Sequence, residues 1–397
     1  MTPLLLTHCR ILQDDQFVFS DVLIEQGKIS RVAPSLQGVA GGTRLDLAGA
    51  WVSSGLIDLH FHGVRDKNVM GDPLQELATL EAEFGVTAFL AGLVDTPDGI
   101  CALLEKKKIE LEHMRTGARC LGFYLEMPFA GLTGAGSSSW MKSGDLGLAR
   151  EMVRSAGGHL RVVMVGPEID QAIELIEYFV SAHVVVALGH TQASIEQTAR
   201  AIDAGATLAT HIYNVVPALP DMVEPGVWPV CGYDVMVADE RMTCELICDG
   251  IHVHPVKGRI TCRAKGSDRL AIITDCNVGA GLTPGRYRFP GRPEVEIRPN
   301  DAVRYVGKGC CLAGSAVTLD EAIRRSDNVL GCSFAQACRM ASRTVARVLN
   351  LGTRFGNIQP GYEADLTVFD AQQQPVMTLV GGDLVWRKGS SVSQIGP

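Results

Sequence analysis

The most constraining feature of this chain is an alternation. Short apolar runs recur between Gly55 and Ile273, and several are separated by longer segments with apolar residues at helical spacing. The runs are Leu56–Leu59, Val86–Leu93, Leu121–Leu125, Leu160–Val165, Val184–Leu188, Thr207–Ala209, Cys244–Ile247 and Leu270–Ile273. The spacers Leu74–Phe84, Asp98–Met114, Ile169–Ser181 and Ser194–Ala204 predict amphipathic helices. Strands buried on both faces read as continuous apolar runs, and parallel neighbours need a crossover, usually helical. Eight such strands over roughly 220 residues predict an α/β fold, a parallel (β/α)8 TIM-type barrel. No Gly-x-Gly-x-x-Gly follows an early strand, which removes the usual reason to prefer an open dinucleotide-binding sheet. Helices at Leu319–Arg325 and Ala335–Leu349 are expected to lead out of the barrel.

The two ends follow a different pattern. Leu4–Leu12, Phe17–Glu25, Ile29–Val32 and Leu45–Val52 read as short strands with no helix-length segment between them, and so form an antiparallel module. Ala364–Asp370, Met377–Val380 and Leu384–Trp386 read alike at the far end. We expect the ends to share one sheet: a small β-sandwich-like domain from residues 1–54 and 356–397, with residues 55–355 as the barrel.

A hydrophobic fraction of 46% with 20% charged residues describes a globular chain. No run is long enough to span a bilayer, and the start at Met1 lacks the charged segment and long apolar stretch of a signal peptide, so a cytoplasmic protein without membrane partners is expected. A net charge of -8, with Lys106-Lys107-Lys108 as the longest basic run, argues against nucleic acid as a partner. That triplet, like Glu76, Glu81 and Glu83, is expected on a solvated helix face. The 12 cysteines are scattered without C-x-x-C spacing and are expected to act mainly as small buried residues. Cys310-Cys311 is the pair to watch for oxidation.

Residues with ligand chemistry cluster just after the apolar runs. His60 and His62 close the first, Glu126 the third, His190 the fifth, His211 the sixth and Asp275 the eighth. The C-terminal rim of a parallel barrel is where such folds carry their chemistry. Imidazole and carboxylate donors without thiolates suit a catalytic divalent metal, Zn first, with Fe, Mn or Co as options. His8, His113, His159 and His183 lie away from strand ends and are read as ordinary histidines.

The motifs then resemble a known family. Gly55-Leu56-Ile57-Asp58-Leu59-His60-Phe61-His62-Gly63, Leu125-Glu126-Met127-Pro128-Phe129, Leu188-Gly189-His190-Thr191 and Ala209-Thr210-His211-Ile212-Tyr213-Asn214 carry the likeness. Cys248-Asp249-Gly250-Ile251-His252-Val253-His254, Thr274-Asp275, Leu312-Ala313-Gly314-Ser315, Gly356-Asn357-Ile358 and Gly361-Tyr362-Glu363-Ala364-Asp365-Leu366 extend it over nearly the whole chain. It resembles the amidohydrolase superfamily and, within it, the N-acetylglucosamine-6-phosphate deacetylases. The resemblance implies a metal-dependent hydrolase, usually a homodimer, acting on a small N-acyl substrate. By position, it implies that Glu126, His190 and His211 bind one metal and that His60 and His62, with Glu126 bridging, bind a second. Asp275 would be the general base that passes its proton to the leaving amine. His252 and Asn214 would contact substrate, and the Leu312–Ser315 loop, with Ala313 and Gly314, would close over it.

Two positions depart from that family. Where it carries Gly-Ala-His after the glutamate motif, this chain has Gly134-Ala135-Gly136. Where it carries a phosphate-binding arginine before Glu-Pro-Gly, this chain has Val223, and valine cannot hold a dianion. Arg286, Arg288 and Lys257 are the cations available to replace that arginine. The expected activity is therefore deacetylation of an amino sugar with an altered substrate shell. The alternatives are a non-phosphorylated N-acyl amine, a cyclic amide, or a metal-binding scaffold without catalysis. Glu126 stands where a cyclic-amide hydrolase would carry a carboxylated lysine, and Asp275 argues against a scaffold.

Overall fold

The computed structural model describes residues 2–36, 42–215, 226–227, 229–307 and 311–389. Eight parallel strands run in chain order around a barrel: β1 Leu56–Phe61, β2 Val86–Leu93, β3 Arg119–Leu125, β4 Leu160–Val165, β5 Val185–Leu188, β6 Leu208–Ala209, β7 Thr243–Ile247 and β8 Leu270–Ile273. All eight predicted strands are present. The seam between β8 and β1 is joined by the Asp275 N–H donating to the His60 carbonyl at 2.9 Å and by a parallel bridge between Phe61 and Cys276.

Strand residues divide between two cores by the two-residue period of a strand. Ile57, Leu59, Ala88, Leu90, Val162, Met164 and Ala187 fill the barrel interior. Leu56, Phe89, Ala91, Val163, Val165 and Leu188 face the surrounding helices. On β1 the period is broken: Asp58 lies opposite Phe89 and Phe61 opposite Ala91, so three steps on β1 match two on β2. Such a bulge re-aims side chains. Leu59 packs in the interior and Phe61 in the outer core, while the ring of His60, between them, stacks on the interior Tyr124.

Both chain ends meet in one eight-stranded sheet. It is mixed rather than antiparallel throughout, because Leu4–Gln13 pairs in parallel with Thr43–Asp46 and Trp51–Ser54. The single strand expected at Leu45–Val52 is interrupted by a turn in which Ala48 and Gly49 take φ of 50° and 85°. The helix expected at Ala335–Leu349 is two, Phe334–Met340 and Arg343–Val348. The Ala341 carbonyl accepts from the Ile57 N–H at 2.8 Å, and the Ser342 hydroxyl donates to the Cys338 carbonyl at 2.7 Å. A tertiary contact from Ile57 and a local one from the Ser342 side chain thus take the carbonyls that a continuous helix would pair.

Two residues expected on solvated helix faces are buried. Lys107 is 0% exposed and donates to the Asp72 carbonyl and to Glu110, each at 2.8 Å. Glu81 is 3% exposed with Oε2 unpaired. Its carboxyl is pushed well above the usual range by burial and by the charges of Asp58 and Asp320. The described cysteines are all unbridged; most are buried or half-buried, and Cys311 is exposed. Cys310, the other half of the adjacent pair, lies outside the described residues.

A segment after β8 adds a small antiparallel sheet of Gly285–Tyr287, Val295–Ile297 and Val303–Tyr305. Its strands of three residues carry too little apolar pattern to be read from sequence. Tyr305 and the linking residues Arg292 and Pro293 help wall a cavity of about 670 Å³ at the C-terminal rim of the barrel.

Candidate metal centre

The structure brings together all six residues read from the strand ends. His62, Glu126, His190, His211 and Asp275 line the cavity. His60 lies directly behind, 0% exposed, with its Nε2 3.1 Å from His62 Nε2. Glu126 sits between two histidine pairs and offers a different oxygen to each. Its Oε1 is 3.0 Å from Nε2 of both His190 and His211. Its Oε2 is 3.3 Å from His62 Nε2 and 4.0 Å from His60 Nε2. Asp275 Oδ1 faces the first pair, 3.4 Å from His62 Nε2 and 3.8 Å from His60 Nε2.

Holding several side chains at one point requires sharp turns off the strands. His190, His211 and Asp275 have φ of 46°, 22° and 45°, and Tyr213 and Val215 follow with 74° and 54°. L-residues seldom adopt these values, and they persist only where the surroundings over-determine them. The site also depends on a missing side chain: a β-carbon at Gly92 would lie 2.8 Å from the His62 ring.

The hydrogen bonds behind the histidines set which nitrogen faces inward. His62 Nδ1–H donates to the Gly92 carbonyl at 2.8 Å, and His190 Nδ1–H to the Leu132 carbonyl at 2.9 Å. His60 Nδ1–H donates to Glu245 Oε2 at 3.1 Å. With these Nδ1 protons committed, Nε2 carries a lone pair. The Nε2 atoms of His60 and His62 are 3.1 Å apart, and those of His190 and His211 3.2 Å. The lone pairs of His60 and His62 repel at that separation unless a cation lies between them; His211 Nδ1 is buried without a partner, so no hydrogen bond behind that ring sets its tautomer.

The electrostatics agree. Burial pushes the Glu126 carboxyl upward; when no cation is bound and the facing Nε2 atoms of His190, His211 and His62 carry protons instead, their hydrogen bonds outweigh that push and hold it well below the usual range. Burial likewise raises Asp275, and the His62 hydrogen bond with the charges of His60 and His211 brings it below its ordinary value. Burial works against a charged His62, yet Asp275 and Glu126 hold its pKa well above that of a free histidine. The carboxylates therefore draw positive charge to this point. Two donor sets, His60–His62–Glu126 and Glu126–His190–His211, each bring their ligand atoms within 4.8 Å of one another. Nitrogen and oxygen donors so arranged fit a catalytic divalent ion.

His252, Asn214, Ala313 and Gly314 line the same cavity. His252 Nδ1–H donates to Asp249 Oδ2 at 2.6 Å, leaving Nε2 as its free nitrogen. Asn214 Nδ2 donates to the His252 carbonyl at 3.0 Å. The loop Gly134-Ala135-Gly136 is also on the wall, and a β-carbon at Gly136 would meet the Trp140 ring at 2.8 Å. That indole packs where a larger residue at 136 would project. Sequence reasoning missed Trp140, Asp249 and Glu245. The signal for Glu245 was present: a carboxylate in the middle of the apolar run Thr243–Ile247 has no solvated face to occupy.

The chain belongs to the amidohydrolase family, which its residues 51–389 match. It is 31% identical over 341 residues to the N-acetylglucosamine-6-phosphate deacetylase of Bacillus subtilis (strain 168), covering 84% of each chain. It is 33% identical over 325 residues to the N-acetylgalactosamine-6-phosphate deacetylase of Escherichia coli O157:H7, covering 79% of this chain and 82% of that one. Among solved structures it matches a variant of the N-acetyl-D-glucosamine-6-phosphate deacetylase of Mycobacterium smegmatis in complex with N-acetyl-D-glucosamine-6-phosphate. The TM-score is 0.85 at 28% identity, over 97% of this chain and 100% of that one. This chain is accordingly a metal-dependent amide hydrolase of the deacetylase type.

Proposed function

We propose that the chain removes the acetyl group from the amide nitrogen of an N-acetylated amino sugar of the N-acetylglucosamine-6-phosphate kind. The observation that carries this reading is the sharing of Glu126 between two histidine pairs, with Asp275 beside them on the cavity wall. His60, His62 and Glu126 would hold one divalent ion and Glu126, His190 and His211 another. Zinc suits these donors best, and iron, manganese and cobalt are compatible. When bound, such an ion would supply Lewis-acid polarisation of the acyl oxygen and make water at the site more acidic.

The remaining work falls to the chain's own side chains. Asp275 accepts the proton of the attacking water. It then delivers that proton to the amide nitrogen as the C–N bond breaks, so that an amine leaves rather than an amide anion. His252, held by Asp249, presents Nε2 to the substrate, Asn214 braces it through its carbonyl, and Ala313 and Gly314 cover the bound sugar.

A second reading, in which the preferred substrate lacks a phosphate, is favoured by the cations. Arg292 is the one arginine or lysine among the described residues lining the cavity, and it is bound to Asp72 Oδ2 at 2.5 Å and the Asp66 carbonyl at 2.7 Å. Arg286 pairs with Glu296 at 3.1 Å, Arg288 with Glu294 at 3.0 Å, and Lys257 lies over the Tyr213 ring. None of these three lines the cavity. Val223, which stands for the expected arginine, lies outside the described residues. Turnover of N-acetylglucosamine and N-acetylgalactosamine, each with and without the 6-phosphate, distinguishes the readings. No release of acetate from any of the four overturns the proposal.

We read the chain as a cytoplasmic homodimer, with residues 1–54 and 356–397 as one unit and 55–355 as the other. Unbridged cysteines and the lack, among the described residues, of a helix long and apolar enough to cross a membrane are consistent with that setting.

A further inference from the structure

We infer that Glu245 is a positioning residue for the metal centre, setting one ligand in each of its halves. It projects from the middle of β7, is 0% exposed, and belongs to neither donor set. A single oxygen, Oε2, does two things. It accepts from His60 Nδ1–H at 3.1 Å, and it accepts from the backbone N–H of His211 at 3.1 Å. The Glu245 carbonyl also accepts from the Ile212 N–H at 2.8 Å. The other carboxylate oxygen, Oε1, is buried without a hydrogen-bond partner.

Each contact answers a requirement of the site. The carboxylate holds the His60 proton on Nδ1 and so turns the lone pair of Nε2 toward His62 and Glu126. A carboxylate behind a ligating imidazole fixes its tautomer and orientation and makes it a better donor. The His60 ring has little other freedom, because Tyr124 stacks on it with centroids 4.2 Å apart. At His211 the backbone has φ of 22°, and the His211 N–H bond to the Glu245 side chain helps hold that turn alongside backbone bonds from Ile212 to the Glu245 carbonyl and from Asn214 to the His211 carbonyl. A carboxylate buried with one oxygen unpaired is costly to folding. What Glu245 contributes therefore lies in what Oε2 holds.

The inference rests on the metal-centre reading above, and its test separates the two. Glu245→Gln preserves size and keeps one oxygen able to accept from His60 and His211, so it removes the charge alone, whereas Glu245→Leu removes the acceptor itself. Cobalt(II) chloride is titrated into the metal-stripped full chain, with bound metal counted per chain and affinity measured by competition with a chromophoric chelator. Glu245→Gln is expected to bind the ion served by His60 some 10–100-fold more weakly than wild type. His60→Asn is expected to show a similar loss. With His60→Asn already in place, Glu245→Leu should still weaken the remaining ion, through His211. Folded Glu245→Gln with wild-type stoichiometry and affinity overturns the inference. Should that variant not fold, Glu245→Asp retains the charge at shorter reach, and wild-type cobalt binding by it is equally fatal. A wild-type chain that binds no cobalt removes the metal reading itself, and the inference with it, by a different signature.

Discussion

Replacing Asp275 by asparagine tests the proposed chemistry most directly, because the structure isolates the change. The Asp275 N–H donates to the His60 carbonyl at 2.9 Å, and the Asp275 carbonyl accepts from the Ser315 N–H at 3.1 Å, so the backbone is pinned from both sides. Its φ of 45° is a value that asparagine tolerates as readily as aspartate. The variant should therefore keep its backbone and lose only the proton acceptor that faces His62 and His60. A positioned general base or acid is worth about 10²–10⁴ in rate, or roughly 2.7–5.5 kcal/mol of barrier. We expect kcat for acetate release to fall within that range while metal per chain stays within a fraction of an ion of wild type. Steady-state kinetics on an N-acetyl amino sugar, paired with elemental analysis of the same sample, reads both. Turnover within tenfold of wild type at unchanged metal content refutes the role of Asp275.

Two further outcomes follow from the same geometry. His60→Asn/His62→Asn removes the pair that meets Glu126 Oε2 but leaves Oε1 with His190 and His211 intact; metal per chain should drop by about one ion with some activity surviving, and loss of all metal contradicts that division. Glu81 is buried with an unpaired oxygen and a carboxyl held well above its ordinary value. Because its folded pKa exceeds its unfolded one, the native chain retains a proton that the unfolded chain has released, and stability falls as pH rises between the two values. Glu81→Gln should therefore stabilise the protein by about 1–3 kcal/mol at pH 8, with the gain fading below about pH 4.5. Thermal denaturation across pH checks this, and a pH-independent effect counts against it.

The barrel was legible in the chain because its signal is local and redundant. A strand buried on both faces must be apolar along its length, and eight such runs spaced by helix-length segments leave few other folds. The clustering of the candidate ligands was legible for a related reason: His60, Glu126, His190, His211 and Asp275 each stand within two residues of such a run, and the rim is where parallel strands deliver side chains. Residues whose roles depend on a partner distant in sequence could not be read this way. Lys107 and Glu81 have helix-face spacing, and only the packing of other segments over them makes them interior. At the break at Ala341–Ser342 the Ala341 carbonyl is taken by the Ile57 N–H, far away in sequence.

By itself, then, the sequence determined the alternation that makes a barrel, the joint sheet of the two ends, and which side chains stand at the rim. Tertiary structure decided how they meet. It set the bulge of β1 that accompanies the inward ring of His60, the division of the two Glu126 oxygens between two histidine pairs, and the reach of Glu245 from β7 beneath two histidines. Periodicity assigns a residue to a face of its own strand, but distances of about 3 Å between strands depend on register, bulges and turns. Those are settled only when every strand is packed against its neighbours.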